Sequence, residues 1–227
     1  MRHPTKLRLA LPVRAGRQDT AAERRVDAAI LGSGLVAAII GCMVIALILP
    51  ADAPAGPIAA LAFYGVALIA MLGFALAYNL ARGERSRAVL RRLDHAAIFL
   101  MIAGTYTPFA LVAIGGSWGW SLIAFVWAGS LGGMVLKLGW PHRFERASIV
   151  AYLALGWALL GALPAMLERV PTGALVLLGV GGLIYSAGIA FHVTRRMPFQ
   201  NEVWHFCVVA AAGCHFAAVV VAVLPVA

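Results

Sequence analysis

Seven stretches of about twenty apolar residues, separated by short segments rich in arginine and proline, dominate this sequence of 227 residues. They fall at about 28–49, 57–81, 95–114, 118–138, 148–167, 172–193 and 203–226. About 20 residues suffice for a helix to cross the hydrocarbon core of a bilayer, each advancing it by about 1.5 Å. In lipid every backbone N–H and C=O must be satisfied within the protein, so runs of this length read as helices. The expected fold class is all-α: a polytopic membrane protein, a bundle of seven transmembrane helices. Composition agrees, with 63% hydrophobic and only 12% charged residues, where soluble domains carry about 25% charge. Soluble enzymes and secreted disulfide scaffolds are excluded together. The expected organisation is a basic, disordered tail over residues 1–26 and a transmembrane domain over residues 27–227.

A formal net charge of +9 does not signal nucleic acid here, because the cations flank the apolar runs, where they set helix orientation. Arg2, Lys6, Arg8, Arg14, Arg17, Arg24 and Arg25 precede the first run. Arg82, Arg85, Arg87, Arg91 and Arg92 follow the second, Lys137, Arg143 and Arg146 flank the fourth-to-fifth connection, and Arg195 and Arg196 the sixth-to-seventh. Seventeen of the eighteen Lys and Arg thus share one side, and Arg169 alone lies on the other. The positive-inside rule places the N-terminus in the cytoplasm and the C-terminus outside, in the inner (plasma) membrane of the cell. Ala51-Asp52-Ala53 resembles a signal-peptidase site. The run before it, at about 22 residues, exceeds the 7–15 of a signal core, so the first run is expected to be a retained helix.

Pro108 and Pro164 fall inside or near the ends of runs and are expected to kink or terminate them. Trp118 and Trp120 are expected at the outer edge, Trp140 and Trp204 at the inner edge. Gly129/Gly133 and Gly182/Ser186/Ala190 are small residues at four-residue spacing, suited to close helix contact. Cys42, Cys207 and Cys214 lie in apolar runs and match neither a disulfide framework nor a zinc CxxC pair.

An ionisable side chain deep in a bilayer costs about 2.5–3.5 kcal/mol or more, so its position is informative. Asn79 lies near the cytoplasmic end of the second run, Asp94 and His95 open the third, and Asn201, Glu202 and His205 open the seventh. Alternate helices run in opposite directions, so these residues share one depth. Asn201 and His205, four apart, share a helical face. His192 closes the sixth run at a similar level, while His215 lies about 15 Å deeper than His205. Each has an ordinary reading: Asp94 as an N-cap, Asn79 as an interhelical hydrogen bond, His95, His192 and His142 as interfacial groups, His3 as part of the tail. The co-level set of Asn79, Asp94, Asn201 and His205 is a stronger functional signal than any member alone.

Leu93-Asp94-His95-Ala96-Ala97-Ile98-Phe99, followed by Ile102-Ala103-Gly104-Thr105-Tyr106-Thr107-Pro108-Phe109, resembles the third-helix signature of the hemolysin III family. That family sits within the progestin and adipoQ receptor superfamily. Gly116-Ser117-Trp118-Gly119-Trp120 resembles its turn into helix four, and Met197-Pro198-Phe199 with Trp204-His205 the start of helix seven. The likeness runs from about residue 24 to the end and implies seven helices with a cytoplasmic N-terminus.

The resemblance also implies a zinc site near the cytoplasmic face. One ligand His comes from helix two, with a Ser four residues before it, and two from an HxxxH pair in helix seven; an Asp at the start of helix three holds the metal-bound water. Such a centre would suit hydrolysis of a lipid amide, because zinc lowers the pKa of its water and polarises a carbonyl. Here the helix-two position is Asn79 and its Ser position is Ala75. The first member of the helix-seven pair is Asn201, which leaves His205 as the sole retained ligand. Asp94 keeps the water-holding position, and in helix one the family's Asn, His and Glu fall on Asp27, Leu31 and Arg24. Neutral amide oxygens are poor zinc ligands beside imidazole. The expectation is a degenerate zinc site, with His95 and Asp27 as supporting groups.

Two function classes follow. One is a non-catalytic or repurposed membrane protein, lipid-binding or receptor-like. The other is a hydrolase with an altered metal site, built from Asp94 and His205 with His95 or Asp27. A pore-forming reading is weaker, since no ring of charges or carbonyls suited to a selective pore is evident. Membrane lipid is the expected partner.

Overall fold

The computed structural model describes residues 20–141, 143–194 and 198–224. Among these, regular structure is helical throughout. Helices α1 (Ala21–Ile48) and α2 (Ala55–Leu80) are followed by α3 (Glu84–Pro108), which continues as a π-helical segment, Phe109–Ile114. After α4 (Gly116–Gly139), the fifth span comprises α5 (Glu145–Gly156), a 3-10 segment (Ala158–Ala162) and α6 (Leu163–Arg169). Helices α7 (Thr172–Thr194) and α8 (Gln200–Val223) complete the chain. Counting the fifth span as one, seven helical spans among the described residues are long and apolar enough to cross a membrane, as the seven runs predict.

Helices adjacent in sequence pack together, and α1 packs on α8 to close the ring. Helix α3 is the most enclosed: 67% of its most apolar window is buried, against 22% for α1. Helix α1 turns inward the stripe Glu23, Asp27, Leu31, Gly34, Ala38 and Ile45, spaced at three, four and seven residues as one helical face requires. A Cβ at Gly34 would meet Val209 of α8 at 2.8 Å, and one at Gly41 would meet Phe216 at 2.7 Å. The contacts advance together along both helices, so α1 and α8 run parallel, as the first and last of seven spans must.

Several helix ends depart from the apolar pattern. Helix α1 begins at Ala21, so residues 21–26 belong to the helix rather than to a disordered tail; residues 1–19 lie outside the described residues. The cause is a capping box: Glu23 N–H donates to Thr20 Oγ1 at 3.2 Å, and Thr20 N–H to Glu23 Oε2 at 2.8 Å. Helix α3 begins at Glu84 behind Gly83, which corrects the N-cap reading of Asp94: that residue sits three turns inside the helix. The arginines before it are helical, and Arg91 Nη2 meets Glu145 Oε1 of α5 at 2.8 Å. His142 and Met197 lie outside the described residues.

Pro108 is the last residue of α3, and the π-helical segment begins directly after it. In the fifth span the regular helix stops at Gly156, before Pro164, which lies in the first turn of α6. The freed groups are satisfied by Tyr106. Its hydroxyl lies 2.8 Å from Leu155 O and 2.9 Å from Gly156 O, and accepts from Leu159 N–H at 2.9 Å. In α4, Gly133 lies flat against the buried Phe99 ring, and a Cβ at Gly129 would meet Leu155 at 2.7 Å, so this small-residue pair does serve close packing. Trp118, Trp120 and Trp140 are exposed, whereas Trp204 turns inward and packs its ring 5.2 Å from that of His192. The three cysteines are free, partly buried thiols.

Candidate functional site

A cavity of about 370 Å³ lies inside the bundle. Its lining extends along α8 from Asn201 to His215, about 21 Å at 1.5 Å per residue. Met71, Leu72, Ile98, Met101, Ile102 and Val208 form apolar walls. The polar end gathers Asp27, Asn79, Asp94, His95, Asn201 and His205, so all six sequence-derived candidates line one cavity. They come from α1, α2, α3 and α8, and the α1–α8 contact that closes the ring is what brings Asp27 to His205.

Asp27 is the hub of this end. Its carboxylate is 4% exposed. Asn79 donates from Nδ2 to Asp27 Oδ2 at 2.5 Å, and His205 Nδ1 lies 2.5 Å from Asp27 Oδ1. A carboxylate on Nδ1 favours the tautomer with the proton there, and leaves Nε2 as the nitrogen available to a ligand. The Asn79 amide nitrogen is thus given to Asp27, an interhelical hydrogen bond between α2 and α1. The second amide atom, Asn79 Oδ1, is buried without a hydrogen-bond partner. Asn201 lies one turn before His205, and the His95 carbonyl accepts from the Tyr152 hydroxyl at 2.9 Å.

The side chains present do not match an open zinc centre, which takes three protein donors and a water. No group of three His, Cys, Asp or Glu placed to hold a metal ion occurs among the described residues. At the three ligand positions that the resemblance implies, one imidazole remains, already bonded to a carboxylate, beside two amides.

Three features were not read from the sequence. Glu23, 3% exposed, caps α1 and also accepts from Phe199 N–H at 3.1 Å, where α8 begins. A carboxylate there is favoured by the positive end of the helix dipole. Thr20-x-x-Glu23 is a capping-box pattern that would have flagged the first role. Lys137, counted only among flanking charges, is 3% exposed and lines the cavity. At the far end of the cavity, His215 Nε2 lies 3.3 Å from Leu178 O, and the Tyr185 hydroxyl is buried without a hydrogen-bond partner.

A family model described as haemolysin-III related matches residues 29–216. Hemolysin-3 of Bacillus cereus is 31% identical over 196 residues, covering 86% of this chain and 90% of that protein. The hemolysin-3 homolog of Bacillus subtilis (strain 168) is 32% identical over 154 residues, 67% of this chain and 72% of that protein. More distantly, the human monocyte to macrophage differentiation factor is 25% identical over 164 residues, 69% of this chain and 67% of that protein. No solved structure matches significantly.

Proposed function

Because the chain belongs to the haemolysin-III related family of multi-pass membrane proteins, we propose that it is a repurposed, lipid-binding member whose ancestral zinc site has degenerated. The observation that carries this reading is the cavity itself: apolar walls lead to a polar end whose imidazole is held by Asp27. An acyl chain fits the walls. A hydroxyl or an amide N–H fits the polar end, where His205 Nε2 and the Asp94 carboxylate offer acceptors. The receptor-like role follows if the occupant biases the packing of α1 against α8, which the Asp27–His205 contact joins. The arginine asymmetry supports an N-terminus in the cytoplasm, a C-terminus outside, and the plasma membrane as its location.

The test is mass spectrometry of lipid carried by the purified protein. One amphiphile per chain is expected in the wild type. Two separate cavity-filling substitutions, Ala75→Phe on α2 and Gly182→Phe on α7, should each lower its occupancy. A wild type that carries no bound amphiphile after mild extraction would contradict the reading.

Hydrolysis of a lipid amide is the second reading. It is favoured by Asp94, at the family's water-holding position, lining the same cavity as His205. Turnover of an amide-linked lipid by the purified wild type, lost in Asp94→Asn, would establish it in place of the first.

A further inference from the structure

We propose that an arginine-lined groove between α1, α2 and the start of α3 binds the headgroup of an anionic phospholipid. This groove, about 510 Å³, adjoins the interior cavity at its polar end. Arg24 and Arg25 of α1, Arg82 of the α2–α3 connection and Arg87 of α3 line it, with no carboxylate among the described residues of the lining. The like charges of Arg25, Arg82 and Arg87 repel one another there, and a phosphate both relieves that repulsion and accepts paired N–H bonds from a guanidinium. The Arg87 guanidinium lies over the Tyr78 ring, 5.2 Å from its centroid. Ala28 and Leu80 supply apolar edges that continue toward the lipid-facing sides of α1 and α2.

Position selects a lipid over a soluble anion. The four arginines lie at the ends of spans, at headgroup level, where juxtamembrane cations attract anionic lipid. The groove and the interior cavity share Arg24, Asn79 and Arg87 in their linings. A headgroup bound in the groove therefore sits at the doorway of the cavity, between α1 and α2.

The purified full-length protein in detergent, titrated with phosphatidylglycerol or phosphatidylcholine and read by native mass spectrometry, tests the proposal. Phosphatidylglycerol should bind preferentially. Arg25→Gln with Arg82→Gln should weaken its binding about thirtyfold. Arg143→Gln with Arg146→Gln, which removes the same charge at the start of the fifth span, should leave it unchanged. Arg25→Lys with Arg82→Lys keeps the charge and should lose only about threefold, through the missing bidentate geometry. Equal binding of the two lipids, equal losses in the two glutamine pairs, or displacement of the lipid by inorganic phosphate at comparable concentration would each overturn it. The last result would assign the groove to a soluble anion.

Discussion

His205 Nδ1 lies 2.5 Å from Asp27 Oδ1, a contact between residues 178 positions apart that joins the last span to the first. Asp27 also accepts from Asn79 at 2.5 Å, so one carboxylate ties together α1, α2 and α8. Asp27→Ala should destabilise the protein by about 1–3 kcal/mol, because it leaves two half-buried polar groups without their partner. Asp27→Asn should cost less, since an amide oxygen still accepts one of the two bonds. Thermal unfolding in detergent checks both; an unchanged midpoint in Asp27→Ala would mean the hub carries no stability.

The Tyr106 hydroxyl serves the break in the fifth span. Tyr106→Phe should cost about 1–3 kcal/mol, because it frees the N–H of Leu159 and the carbonyls of Leu155 and Gly156 inside the bundle. Hydrogen exchange should rise at residues 155–160 and stay unchanged in α1. A uniform rise across all spans would argue against a local role.

Two neighbouring glycines on α4 separate packing from propensity. Gly133 lies against Phe99, which Tyr152 holds at 4.4 Å between ring centroids, so Gly133→Ala should cost about 1–3 kcal/mol. A Cβ added at Gly132 would meet nothing within 4 Å, so Gly132→Ala should be neutral or slightly stabilising. Equal melting temperatures for the two variants would contradict this packing.

The spans were legible because lipid permits few solutions: twenty apolar residues become a helix whatever their order. Their ends were not. Apolarity marks where the hydrocarbon stops, whereas α1 and α3 continue into charged sequence on the strength of a Thr20–Glu23 cap and helix-forming arginines. The apolar pattern predicts one continuous fifth run that kinks or ends at Pro164, but the helix stops earlier, at Gly156. At the site, charge and amide residues inside apolar runs pointed to Asn79, Asp94, Asn201 and His205. The bonds that Asn79 and His205 make to Asp27 did not show in the sequence, because they depend on α1 packing against its neighbours and closing the ring against α8. Asp27 therefore looked like a supporting residue, and it is the centre of the hydrogen-bond network.

A reporter that works only when exported, fused after Ala227, should be active, given seventeen of eighteen basic residues on the other side. Activity of a cytoplasm-dependent reporter at the same position would reverse the orientation.

Zinc content decides the central claim most directly. In the degenerate-site account, dialysed wild-type protein carries far less than one zinc per chain. Asn79→His with Asn201→His raises the content toward one, by adding two imidazoles to His205 around a cavity they already line. Each single substitution gains much less. Stoichiometric zinc in the wild type, abolished by His205→Ala, would contradict the account and point to a working metal centre.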